Sequence, residues 1–561
     1  MSPLQNPVGF ASTDLLELAL LIFILAGFLI WNPKFRLVFT SFAEKTVWCM
    51  ALLFVLPIVL RLLLLSNHPV PTPDIYDEFS HLLVADTLMH FRLANPPHPL
   101  HQFFETFFVL QQPTYSSIYP LGQGLMLAFG RLISGSAWTG VLISVGLFCT
   151  LCYWMLRAWV EPAWALAGGL LAIIEFGPLN LWTNCYWGGA LAAAAGCLVF
   201  GALPRLVPSG NRRDAALLGL GAGVHCITRQ FESFLLLLCI LLFFVPILRR
   251  REDVRKIARL IPFAMAVAAP FFALILLQNR AVTHSWFTLP EQLSQYQYGV
   301  PTSLTFQPVP VPHVPLTPQQ ELDYKAQSLG HGLEPDSLSR FLLRLEFRVR
   351  YYRFFFLPPL YVTLIAFLFT LRDWRLLYVV GALATFALGT NLFPYLLPHY
   401  LAAVTCLFIL VAIVGLKYLA RVRIRDIPVG SEAAKIVAVL CLAHFVLWYG
   451  LHLFENTAPA AALEPYESWD AINHGDPHGR VAVNRQLAAI PGKLVVLVEY
   501  SPRHIFQNEW VWNAADIDKS RIVWARDPGP TEDAKLFAYY PDRTFYVLQP
   551  DARPPKLDLL R

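Results

Sequence analysis

The segment DIYDEFSH (74–81) packs three carboxylates and a histidine into eight residues, in a chain otherwise dominated by apolar runs. On a helix, Asp77 and His81 stand four apart and Glu78 and His81 three apart, so the three side chains lean toward one side. A carboxylate in such a place can act as a general base. Glu78 and His81, one turn apart, are candidate ligands for a divalent metal ion. Adjacent carboxylates diverge by about 100° around a helix, so they divide the work: one is a base, and the other binds a metal or holds the frame. A solvated polar face is the competing reading. For Asp74 a structural account suffices, with Thr72 as N-cap, Pro73 in the first helical position and Asp74 in the first turn.

Cationic residues that could receive an anion lie elsewhere. Arg229 and Glu232 occur together in TRQFES; RLEFRVRYYRFF (344–355) holds Arg344, Arg348, Arg350 and Arg353; His399 and Tyr400 are adjacent. Arginines can clamp an oxyanion with paired N–H groups. Each set also has a structural reading. Arg229 can pair with Glu232, and the arginines can anchor at a membrane interface with Tyr351 and Tyr352.

What must position these residues is a membrane. Of 561 residues, 56% are hydrophobic and 14% charged. Many apolar runs near the ~20-residue span length predict an all-α polytopic membrane protein. Spans are expected near 14–31, 47–65, 137–157, 162–180, 186–204, 214–229, 231–248, 258–278, 354–371, 376–393, 399–417 and 433–454, about 12 in all. RRREDVRKIAR (249–259) and KYLARVRIR (417–425) mark the cytoplasmic side, and NRR (211–213) and LRDWR (371–375) agree with them. The loops 66–136 and 279–353 and everything after 455 are then external. YPLGQGLMLAFGRLI (119–133) is apolar but short and interrupted by Pro120, Gly122 and Gly124. A crossing there would turn the basic clusters outward, so it is expected to be an external helix or re-entrant element.

The helix after Thr72 carries Ile75, Phe79, Leu82, Leu83 and Met89 at helical spacing, which predicts an amphipathic helix lying along the external membrane surface. Residues 279–353 include the proline-rich PVPVPHVPLTP and are expected to form either a functional lid or a passive linker. From about 465 the composition becomes that of a soluble domain. Strands are expected at 493–500, 521–526 and 544–550 and a helix at 531–540, a small α/β unit. The organisation is therefore an extra N-terminal helix and loop (1–46), a membrane core (47–455) and an external domain (456–561). The N-terminus lacks basic residues before its first apolar run, so an uncleaved helix with its start outside is expected.

Nine cysteines fall almost entirely in apolar segments, and Cys149 and Cys152 read as inert buried thiols. The net charge of +5 is modest and sits in short clusters, which excludes nucleic-acid binding as the reading. No phosphate-cradling glycine loop or zinc-finger spacing is present, so a nucleotide-sugar donor lacks support. External aromatics, among them Tyr115, Tyr119, Trp182, Tyr186 and Trp187, suit either a sugar face or a membrane interface.

The order of a span, an external loop carrying YDEFSH, the element SSIYPLGQGLMLAFG and a glycine-rich span ending in TRQFESFLLLL resembles the GT-C membrane glycosyltransferases. The resemblance covers about residues 45–455 and is to the bacterial branch related to protein O-mannosyltransferases and aminoarabinose lipid A transferases. Gln230 stands where many members have proline, and HYLAAV (399–404) where many have Arg-Tyr-Leu. The resemblance implies a bacterial inner-membrane enzyme whose site faces the periplasm. It would use a polyprenyl-phosphate sugar donor and transfer to a hydroxyl of a glycan, lipid or protein acceptor, with inversion. Asp77 would be the base and Glu78 its helper; Arg229, Arg350, Arg353, His399 and Tyr400 would bind the phosphate; and a divalent metal at His81 and Glu78 would be an accessory. Rival readings are a transporter or flippase for polyprenyl-linked glycans, and a membrane-anchored scaffold for the C-terminal domain.

Overall fold

The computed structural model describes residues 19–23, 26–27, 36–73, 75–332, 336–454, 472 and 479–561. The expected N-terminal span at 14–31 falls largely outside these residues, as do Asp74 and most of 455–478.

In chain order the main helices before the C-terminal domain are α1 (Thr46–Leu63), α2 (Tyr76–Met89), α3 (Leu121–Ser134), α4 (Ala137–Leu156), α5 (Pro162–Phe176), α6 (Ala190–Ser209), α7 (Arg212–Cys226), α8 (Gln230–Phe244), α9 (Arg251–Thr283), α10 (Pro290–Tyr298), α11 (Pro318–His331), α12 (Leu338–Arg348), α13 (Tyr361–Leu368), α14 (Trp374–Thr390), α15 (Thr405–Leu419) and α16 (Val429–Phe454). Five described helical stretches are long and apolar enough to cross a membrane: α1, α4, α9, Pro398–Leu419 and α16. Leu338–Phe355 and Pro358–Leu368 would make a sixth, bent by 109°. The single span expected at 354–371 is therefore broken, because Pro358 and Pro359 remove two backbone donors where the helix would continue. Four further apolar helices are shorter: Pro162–Phe176, Ala190–Leu206, Gln230–Phe244 and Trp374–Thr390. Breakers limit them, such as Gly177-Pro178 after α5 and Pro246 after α8. The protein is polytopic and helical, while the expected number of spans is not reached by length and apolarity alone.

Glycine packing, not glycine breaking, explains the segment after Pro120. Leu121–Ser134 is one unbroken helix. A Cβ on Gly124 would lie 2.2 Å from a Val84 methyl of α2, and one on Gly122 would lie 2.2 Å from Thr228 Oγ1. Both glycines thus let α3 approach its neighbours at backbone distance. The Gly122 N–H donates to Ile227 C=O at 2.7 Å, which pins the start of α3 to the turn carrying Arg229.

The C-terminal domain matches its expected elements. After the small ladder β1 (Val109–Leu110) and β2 (Ser116–Ser117), the strands β3 (Leu494–Val498), β4 (Ile522–Arg526), β5 (Thr544–Gln549) and β6 (Lys556–Leu559) form a sheet of order β4-β3-β5-β6. β3 runs parallel to β4 and β5, and β6 antiparallel to β5. Helices α17 (Arg480–Ala489) and α18 (Pro530–Tyr539) cover it. α17 and the edge strand β6 were not foreseen; each is short and mixed in polarity.

This domain and the 66–136 loop share a core. Leu83, Phe103, Phe104, Val109 and Tyr115 pack with Val495, Leu497, Ile517, Val523 and Phe545. A polar seam borders it: Trp512 Nε1–H donates to Phe79 C=O (2.9 Å), Ala515 N–H to Asp86 (2.7 Å) and Arg92 to Asp516 (2.7 Å). Helix α2 is consequently buried on every side, with Asp77 through Ala85 all covered. This corrects the expectation of an amphipathic helix on the membrane surface. The face assigned to water is occupied by the C-terminal domain and the β1–β2 ladder.

Candidate active site

Helix α2 begins at Tyr76, three residues later than the expected start, with Ile75 as the N-cap. The cap is closed by Glu78, whose Oε2 accepts from the Ile75 N–H at 3.3 Å. Its Oε1 accepts from the Tyr186 N–H at 2.8 Å. Both oxygens of Glu78 are therefore committed to backbone donors, one on its own helix and one before α6. Ser80 adds a second tie, donating to Phe108 C=O at 2.7 Å. The geometry explains the Asp-Glu order: the second acid fastens the helix start, and the first, about 100° away round the helix, lines the cavity.

Asp77 faces a cavity of about 630 Å³. Its carboxylate accepts the Tyr119 hydroxyl proton. Tyr119 is held by its ring stacking on His81, at 4.2 Å between centroids, and by Gln278 donating to its carbonyl at 2.8 Å. Burial, reinforced by the nearby charges of Asp323 and Glu78, pushes the Asp77 carboxyl up to about 7, against the opposing Tyr119 hydrogen bond. Near neutral pH the group is thus poised between acid and base.

Cations line the same cavity. Arg229 lines the cavity and pairs with Glu232 at 2.6 Å, its guanidinium 4.6 Å from the Tyr400 ring centroid. The ion-pair reading and the cavity reading of Arg229 are both realised in one geometry. His399 and Tyr400 also line it, with His399 against the Trp187 ring at 4.7 Å. Of the four arginines in 344–353, the cavity is lined by Arg344 and Arg348. Arg344 bridges to Asp336 (2.5 Å) and donates to Asn391 C=O (2.9 Å); Arg348 donates to Thr390 and Phe393 C=O (2.9 and 2.6 Å). They satisfy the free carbonyls at the end of α14. Arg350 lies over the Phe347 ring at 3.9 Å, and neither it nor Arg353 is among the lining residues. Of the arginines expected to meet the phosphate, Arg350 and Arg353 stand outside the cavity lining, beyond the end of α12, while Arg344 and Arg348 of α12 line it.

His81 lies behind Tyr119, outside the cavity lining, and both its ring nitrogens are buried without a hydrogen-bond partner among the described residues. Burial, with the Arg229 charge added, lowers it to about 3, so the ring is neutral. With Glu78 spent on backbone donors, and no cluster of three or more His, Cys, Asp or Glu ligands among the described residues, Glu78 and His81 do not fit a metal centre. Their positions suit a frame: Glu78 fixes α2, and His81 supports the tyrosine that orients Asp77.

Several cavity residues carried no sequence signal. Asp323 on α11 lines the cavity, both its oxygens accept from Gln327 at 3.0 Å, and burial pushes it up to about 7. Glu291 on α10 is likewise raised by burial. Phe506 and Gln507 reach in from the C-terminal domain. The 279–353 loop is thereby a structured wall of the cavity: its helices α10, α11 and α12 all contribute. Of the external aromatics, Tyr119 and Trp187 line the cavity, whereas Tyr115, Trp182 and Tyr186 are buried in packing.

No protein-family model matches the sequence, and no curated protein matches it. Solved structures do match by fold. ArnT from Cupriavidus metallidurans in the apo state superposes with a TM-score of 0.50 at 13% identity, over 90% of this chain and 93% of that one. The chain has the ArnT fold. The same protein bound to undecaprenyl phosphate gives 0.48 at 11% identity over 90% and 93% of the two chains. The Archaeoglobus fulgidus oligosaccharyltransferase in its apo form gives 0.46 at 12% identity, over 92% and 70%. The expected helical membrane architecture is met at the level of fold.

Proposed function

We propose that this chain is an inverting membrane glycosyltransferase that moves a sugar from a polyprenyl-phosphate donor to an acceptor hydroxyl on the external face of a bacterial inner membrane. The observation that carries the reading is the placement of Asp77 in one cavity with Arg229, Arg344, Arg348 and His399. Asp77 takes the proton of the acceptor hydroxyl as its oxygen bonds to the anomeric carbon. The bond from that carbon to the phosphate oxygen breaks, and its electron pair leaves with the lipid phosphate on the opposite face of the ring. The arginines meet the charge that develops there. Tyr119 sets the direction of the Asp77 carboxylate, and Tyr76 and Trp187 offer ring faces to a sugar. The isoprenoid tail stays in the bilayer, which accounts for a cavity built where apolar helices end. About 12 crossings, with the C-terminal domain outside, is the topology that goes with this reading.

A transporter needs no base, so Asp77→Asn separates the two functions. Mass spectrometry of glycolipids and glycoproteins from cells making the wild-type chain or Asp77→Asn should show one glycan product lost in the variant. An unchanged glycan profile would reject the enzyme assignment.

A further inference from the structure

A second pocket, of about 240 Å³, lies at the other end of the helices that build the catalytic cavity. α14 starts beside it at Trp374 and finishes at Thr390, whose carbonyl Arg348 holds in the cavity wall. The stretch Pro398–Leu419 begins with His399 and Tyr400 in that wall and ends beside the second pocket at Lys417 and Tyr418. The two pockets therefore sit at opposite ends of shared helices.

The second pocket is cationic and framed by aromatics. Arg375, Lys417 and Arg421 line it with Trp159, Tyr418 and Thr370. Two carboxylates offset part of this charge: Glu161 pairs with Lys417 at 2.6 Å, and Asp373 accepts the Arg375 backbone N–H at 2.9 Å as the α14 N-cap. Arg375 is fixed in place, donating to Ala158 C=O at 2.9 Å and lying 4.8 Å from the Trp159 ring centroid. The Arg421 guanidinium has no hydrogen-bond or ion-pair partner among the described residues and stands at the exposed rim. Three cations against two carboxylates leave the pocket positive, and Arg372, Arg423 and Arg425 lie close in sequence.

Its outer border is apolar. Phe369 stacks on Tyr418 at 5.9 Å between centroids and is 65% exposed; Leu368 and Trp374 beside it are 62% and 44% exposed. A site for a free anion would not need an apolar skirt. A headgroup phosphate with acyl chains running along the protein would use both features, since basic pockets between helix ends recognise anionic lipid headgroups. We propose that this pocket binds the headgroup phosphate of an anionic phospholipid, with Arg421 and Arg375 as its ligands, Lys417 adding charge and Phe369, Tyr418 and Trp374 against the acyl chains.

The test uses the full chain purified in a neutral detergent, with phosphatidylglycerol, phosphatidylcholine and inorganic phosphate as probes. Native mass spectrometry should show phosphatidylglycerol retained over phosphatidylcholine, and thermal unfolding should rise with phosphatidylglycerol. Arg421→Gln, an exposed change that leaves packing intact, should weaken retention about fivefold, the effect of one cation near a lipid phosphate. Arg375→Gln combined with it should weaken retention about twenty-fivefold. Arg350→Gln, outside both pockets, should retain lipid as the wild type does. Equal retention by wild type and the double variant would overturn the proposal. So would a thermal shift that inorganic phosphate reproduces in full, which would make the site one for a free anion.

Discussion

The hydrogen bond from Tyr119 to Asp77 makes a prediction about the pH dependence of transfer. Asp77 is raised to about 7 chiefly by burial, and the Tyr119 hydroxyl makes the larger of two hydrogen bonds that oppose that rise, the other coming from the backbone. The base is the ionised form, so the wild-type rate should climb as pH rises through 7 and level off above it. Tyr119→Phe keeps the ring that stacks on His81 and loses only the donor. A hydrogen bond to a charged group contributes about 1.5–3 kcal/mol, and about 1.4 kcal/mol corresponds to one pH unit. The carboxyl in the variant should then titrate about one to two pH units higher. At pH 7 the ionised fraction would fall from about half to about one-tenth or one-hundredth, a loss of roughly five- to fiftyfold in kcat/KM. At pH 9 the deficit should shrink to about twofold or less. The assay is transfer from a polyprenyl-phosphate sugar by the purified protein, with log kcat/KM followed from pH 5 to 10. A variant profile that overlays the wild type, or a loss equal at every pH, would refute this role for Tyr119.

Other consequences follow from the same contacts. Because the folded carboxyl of Asp77 titrates near 7 and the unfolded one near 3.8, its stabilising contribution is complete below about pH 4 and lost as pH rises to about 7. Asp77→Asn should accordingly gain thermal stability over the wild type across that window, by a limit on the order of 4 kcal/mol at pH 8; calorimetry at pH 4 and 8 checks the sign. Arg348→Ala should free the Thr390 and Phe393 carbonyls and cost about 1–3 kcal/mol, whereas Arg350→Gln should alter transfer by less than about twofold; thermal melts and initial rates separate the two. Truncation before residue 479 should uncover Leu83, Phe103, Phe104 and Tyr115, abolish transfer and open the 90–118 loop to protease. A truncated chain that still transfers would show that α2 holds its position unaided.

The membrane class, the strands of the terminal domain and the divergence of the Asp77 and Glu78 side chains were all legible in the sequence, because each rests on local pattern. Alternation and turn residues mark LVVLV and IVWAR without reference to anything distant. The setting of α2 was not legible. Phe79 and Leu83 predict one apolar face, and only the fold brings Trp512 and Ala515, more than 400 residues later, onto the remaining side. Gly122 and Gly124 read as interruptions for the same reason: their partners, Thr228 and Val84, are tertiary neighbours. Asp323 stands in a hydrophilic helix where any acid looks solvated, and its burial comes from the loop folding back over the cavity. That Arg344 and Arg348 line the cavity while Arg350 and Arg353 do not turns on where α12 gives way to a tighter turn, a boundary that composition does not mark.

The central claim is that Asp77 is the base of a sugar transfer that leaves a lipid phosphate among arginines. Its most direct test is a paired measurement on purified Asp77→Asn: binding of a polyprenyl-phosphate sugar donor, and turnover of that donor onto acceptor. Donor affinity within about twofold of wild type with turnover reduced at least about a hundredfold is the predicted result. Turnover that persists at the wild-type rate while the donor still binds would contradict it.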